Sequence, residues 1–135
     1  MRIKKYLAGL LVAILLVTAL PSTALAATNF TPQYASGHYP STNSPSTYYS
    51  CYLGGTSQKI SADVSYGNSS KTVYVSATAK KLVVGTTTFY YSTDSCTDLG
   101  TAGVEISTPG STVIIVSATA EYKIMGHKVA DLAIM

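Results

Sequence analysis

The chain has 135 residues, of which 47% are hydrophobic and only 11% charged, with a formal net charge of +3. That length leaves room for one domain of ordinary size. Three of the nine basic residues, Arg2, Lys4 and Lys5, stand at the N-terminus, so beyond them six lysines meet six acids and the charge balances. Neither nucleic acid nor an anionic membrane surface is therefore indicated as a partner, despite a sequence pI near 8.8.

The basic start is followed by an apolar run from Leu7 to Leu20, a helix-breaking Pro21, and small residues at Ala24 and Ala26. This pattern reads as a secretory signal peptide over residues 1–26. Its apolar core falls short of the roughly 20 residues a membrane span needs, and no later segment supplies one. The protein is thus expected to be secreted, either extracellular or held at the cell envelope, with no integral span after cleavage. Residues 27–46 carry no charge, are rich in Ser and Thr and contain Pro32, Pro40 and Pro45. They read as a flexible arm with too little apolar area to offset ordering entropy.

From residue 47 to 135 the pattern is that of strands. Tyr49, Cys51 and Leu53 share one face of the first, with Tyr48 and Tyr52 on the other. Ile60, Ala62, Val64 and Tyr66 alternate with polar residues, and Gly67 to Ser70 reads as a hairpin loop into the next strand. That strand is overlong, from Thr72 to Val84, and its apolar face switches at Lys80-Lys81. The switch predicts either a bulge that lets the strand cross between sheets or an exposed lysine pair on a loop. Thr86 to Ser92 is a further strand, Ser92 to Gly103 reads as a loop, Val104 to Ile106 as a short strand, and Thr112 to Tyr122 as a long one whose alternation continues to Ile124. A last strand lies within Lys128 to Met135. Val75-Ser76-Ala77-Thr78-Ala79 returns as Val116-Ser117-Ala118-Thr119-Ala120. These copies are expected to be two core strands facing each other across the molecule.

About seven or eight short strands with Gly, Pro, Asn and Ser punctuation predict an all-β protein, a small antiparallel β-sandwich of immunoglobulin-like shape. Trp is absent, so the aromatic core signature of true immunoglobulin domains is missing.

Few residues carry chemistry. Cys51 and Cys96 are the two cysteines, and in an exported chain they are expected to form a disulfide. A loop of about 46 residues closed in this way would add about 4 kcal/mol. Free thiols are the alternative; a zinc site lacks the necessary spacing. Asp94, Asp98 and Glu105 are oxygen donors suited to Ca²⁺, although their spacing is not that of an EF-hand. No paired carboxylates or nucleophile elbow point to catalysis, and no other cofactor is indicated. Tyr48, Tyr52 and Tyr90 are the candidate ligand contacts, since a tyrosine on a strand face offers an apolar ring and a polar tip. The reading that results is a secreted, non-enzymatic binding or structural module whose partner is an extracellular protein or carbohydrate. Self-association through an edge strand is a variant of it. A secreted antimicrobial or toxin-like protein is the alternative class, and a small secreted hydrolase the weaker one.

Overall fold

A computed structural model describes residues 27–40 and 46–135. The expected signal peptide, residues 1–26, lies outside the described residues. Eight strands follow in order: β1 (Gln33–Tyr39), β2 (Thr47–Gly55), β3 (Lys59–Tyr66), β4 (Thr72–Val83), β5 (Phe89–Leu99), β6 (Thr101–Ser107), β7 (Val113–Ile124) and β8 (His127–Ile134). They form two four-stranded antiparallel sheets, ordered β1-β2-β3-β6 and β5-β4-β7-β8, and the described residues contain no helix. The first sheet packs on the second as a sandwich.

Alternation decides which side chains enter the core. In β3 every second residue from Ile60 to Tyr66 is buried, and in β4 the same holds from Val73 through Ala79. Leu53, Ile60, Val64, Val75, Ile115 and Ile124 fill the centre. Polar groups also bridge the two sheets. The buried Tyr122 of β7 donates its hydroxyl to the carbonyl of Tyr52 in β2. The Lys81 ammonium of β4 donates to the carbonyl of Ser107 in β6 at 3.0 Å. Each satisfies a buried polar atom that would otherwise oppose folding.

Several expectations change. The segment expected as an arm supplies β1, hydrogen-bonded along its length to β2, because Tyr34, Ser36 and His38 alternate against Ala35, Gly37 and Tyr39. Residues 41–45 of it lie outside the described residues. β3 and β4 are not a hairpin. They belong to different sheets, and the groups at their facing ends are taken by Gly100, which donates to the Lys71 carbonyl and accepts from the Tyr66 amide. Two half-buried strands joined by a short polar loop look alike in sequence whether the loop stays in one sheet or arches between two. The stretch from Ser92 to Leu99 is strand rather than loop; only Gly100, at φ 76°, breaks it from β6.

The register does shift at Lys80/Lys81, where Lys80 faces Ser117 and Lys81 faces Ile115, leaving Val116 as the extra residue of a bulge. β4 nevertheless stays in one sheet throughout. Lys81 is buried rather than on a loop. The repeated pentapeptides do not face each other across the core. They are neighbours in the second sheet, with Ala77 opposite Ala120, Thr78 opposite Thr119 and Ala79 opposite Ala118.

Candidate functional site

The outer face of the first sheet carries the most organised set of polar and aromatic groups. The strand registers align residues into rows across all four strands. One row runs Tyr34, Tyr52, Asp63, Gly103, and the next runs Ser36, Ser50, Ser65, Thr101. Two rings, a carboxylate and an absent side chain thus lie beside four hydroxyls. The rings of Tyr34 and Tyr52 meet at 5.3 Å with a tilt of 52°. Further along, His38 packs edge-on against Tyr48 at 5.7 Å.

Glycine makes this face concave. A β-carbon on Gly103 would overlap Asp63 Oδ1, and one on Gly54 would overlap the Tyr52 hydroxyl, so the Asp63 carboxylate lies over the neighbouring β6 and the Tyr52 ring lies along its own strand, β2. The result is a hollow of about 620 Å³ bounded by Tyr34, Ser50, Tyr52, Asp63, Ser65 and Thr101, with Cys96 and Asp98 of β5 also lining it. Desolvation holds the Asp63 carboxyl above its ordinary range, and the nearby charge of Glu105 pushes it the same way. Glu105 itself pairs with Lys59 at 3.8 Å, both exposed.

The residues singled out from sequence are distributed as follows. Tyr48 and Tyr52 are on this face, Tyr48 exposed and Tyr52 half-buried within the hollow. Tyr90 is exposed but lies on β5 of the other sheet, facing Lys81. It does not join them. Tyr34, Asp63 and Gly103 belong to the hollow and were not anticipated; the alternation of Tyr34, Ser36 and His38 is the signal that could have placed the first.

The expected disulfide is not formed, and both thiols are free. Cys51 is in β2 and Cys96 in β5 of the opposite sheet, the latter stacked against β6, two strands beyond β2. With strands about 4.8 Å apart and sheets about 10 Å apart, that exceeds the roughly 7 Å that a disulfide tolerates between Cα atoms. Burial pushes the Cys51 thiol up to about 12.

The expected calcium ligands do not converge either. Asp94 and Asp98 are four residues apart on one strand, a separation of about 13 Å, and each accepts the amide of its own successor. Glu105 is on the outer face of the first sheet, beside Lys59. Among the described residues, no three His, Cys, Asp or Glu side chains come together to hold a metal ion.

No family model matches the chain, and no curated protein matches it in sequence.

Proposed function

We propose that the protein is a secreted, non-enzymatic binding module whose ligand is a neutral glycan, lodged in the hollow on the first sheet. Tyrosine rings give a sugar's C–H faces an apolar surface, and their hydroxyls remain available at its edge. The Asp63 carboxylate accepts charge-assisted hydrogen bonds from sugar hydroxyls, and the row from Ser36 to Thr101 supplies both donors and acceptors. The observation that carries this reading is the alignment of Tyr34, Tyr52 and Asp63 in one row over the gap left by Gly103.

Charge narrows the ligand class. Asp63 and Glu105 make the face acidic, which disfavours phosphorylated or carboxylated chains. Cleavage would need a second carboxylate aimed at the bound bond, whereas Glu105 lies in the adjoining row and is engaged by Lys59. Binding without turnover fits that arrangement better.

The scaffold fits the same role. Strands β3 and β6 in one sheet and β4 and β7 in the other, joined by successive crossings, support a Greek-key sandwich of immunoglobulin-like shape, an architecture widely used for display outside the cell. Calorimetry and a glycan array with the purified protein test the proposal. Saturable binding of neutral polysaccharide, lost in both Tyr34→Ala and Tyr52→Ala, is expected. Failure to bind any glycan, or undiminished binding by both variants, overturns it. Killing of neighbouring cells without glycan binding would favour the antimicrobial class instead.

A further inference from the structure

Four strands end the two sheets, and three of them carry features that discourage pairing with another chain. β1 and β6 are each only seven residues long, and β1 lies between Pro32 and Pro40. β8 displays Lys128 and Asp131, and its register with β7 slips between Tyr122 and Lys123. β5 differs from all of these. It runs for eleven residues in unbroken register with β4, contains no proline or lysine, and is largely exposed on both faces. Phe89, Tyr90, Tyr91 and Leu99 are all large, apolar and exposed on it.

We propose that β5 pairs antiparallel with β5 of a second copy of the chain about a two-fold axis at Thr93, fusing the two second sheets into one of eight strands. Among the registers that pair most of β5, the charges favour this one. An axis at Asp94 would set that carboxylate against its own copy, and an axis at Cys96 would set Asp94 against the partner's Asp98; like charges directly opposite are destabilising. An axis at Ser95 leaves Asp94 diagonal to both carboxylates of the partner. With the axis at Thr93, Asp94 faces the partner's Ser92 and is diagonal to one carboxylate, the partner's Asp94, in place of two, while Phe89, Tyr90 and Tyr91 face the partner's Thr97, Cys96 and Ser95. The aromatic end of the strand is then covered.

The same register sets the partner's carboxylates on the Lys81 side of the strand. Asp94 and Asp98 flank the position opposite the partner's Tyr90, whose ring lies 5.9 Å from the Lys81 ammonium. Among the described residues of one copy, that buried ammonium meets the Ser107 carbonyl and the Tyr90 ring and no carboxylate. In the pair, Lys81 stands two strands, or roughly 10 Å, from the partner's carboxylate-bearing strand. That is somewhat beyond the Debye length of about 8 Å in physiological salt, so the attraction is modest and strengthens at low salt. Because the axis is perpendicular to the sheets, both hollows face the same way.

Sedimentation velocity across a range of concentrations, with light scattering, tests the pairing in the purified protein. The unaltered chain is expected to form dimers reversibly. Thr93→Lys, at an exposed position that would oppose two ammonium groups at the axis, should weaken the dimer by about tenfold or more, with an unchanged circular dichroism spectrum. In a Cys96→Ser background, mild oxidation should cross-link Thr93→Cys into dimers and leave Ser95→Cys monomeric. An unaltered chain that stays monomeric at hundreds of micromolar, an unweakened Thr93→Lys dimer, or cross-linking at position 95 in place of 93 would each overturn the proposal.

Discussion

The Asp63 carboxylate lies over the bare Cα of Gly103 on the adjacent strand, in space that a β-carbon would occupy. Gly103→Ala therefore has to lift the carboxylate out of the hollow. The displaced atom is the end of a short side chain on an exposed face, so folding should survive, with a melting temperature within a few degrees of the original. Glycan affinity should fall about tenfold, the worth of one charge-assisted hydrogen bond of roughly 1.5 kcal/mol. Calorimetry beside a thermal melt separates the two effects.

On the proposed reading, Asp63 links glycan binding to pH. Its folded-state pKa is raised above the ordinary 3.8, chiefly by desolvation, so the native chain holds that proton more tightly than the unfolded one does. The stability cost is full above the raised value, shrinks as pH falls through it, and is gone below the unfolded value. Asp63→Asn should therefore stabilise the fold near neutral pH and remove this contribution from the melting curve in the acid range. Binding should move in the opposite direction, falling in the unaltered chain as Asp63 protonates and already weak in Asp63→Asn at pH 7. Parallel melts and titrations from pH 7 to pH 4 would show this crossing; a variant less stable at pH 7 would contradict it.

Tyr122 is a strut. Its buried hydroxyl reaches across the core to the Tyr52 carbonyl, on the strand that forms one wall of the hollow. Tyr122→Phe keeps the ring packing but leaves that carbonyl without the bond, at a cost of about 1–2 kcal/mol. Urea unfolding followed by circular dichroism should show a lower midpoint with an unchanged slope.

The two thiols should react in sequence. Cys96 is half-exposed, whereas Cys51 is buried in the core with its pKa pushed up to about 12. At pH 8 an alkylating reagent should label Cys96 in the native chain and Cys51 only on unfolding. Peptide mass mapping without reductant checks this; a Cys51–Cys96 disulfide in the purified protein would refute it.

What could be read from sequence follows the range of the signals. Alternation is local, so the faces of β2, β3 and β4, and with them the burial of Leu53, Ile60 and Val75, were legible residue by residue. The change of phase expected in β4 at Lys80-Lys81 does not occur: β4 alternates unbroken through the buried Lys81, and the extra residue of the bulge is Val116 on β7. Pairing is not local. Whether Gly67 to Ser70 turns within a sheet or arches between sheets depends on Gly100, some thirty residues away. The site shows the same limit. Tyr48 and Tyr52 could be picked out as outward rings on β2, but Asp63 and Gly103 acquire meaning only once three registers set them in line with Tyr34. Composition misled at β1, where uncharged Ser, Thr and Pro suggested a tether. A strand on a sheet edge, with one side solvated, needs little apolar content.

The side-by-side placement of the two pentapeptides raises a question of uniqueness. Small residues alternating with hydroxyls fit one another almost equally well after a slip of two positions, so Ala77 to Ala79 and Ala118 to Ala120 do little to choose among alignments. The choice falls to the dissimilar residues at the two ends. Tyr122 fits where its hydroxyl finds the Tyr52 carbonyl, and Lys81 where its ammonium reaches Ser107, with Val116 bulged out to bring it there. Polar atoms that add modestly to stability thereby act as alignment marks for a stretch of sheet whose own sequence is ambiguous.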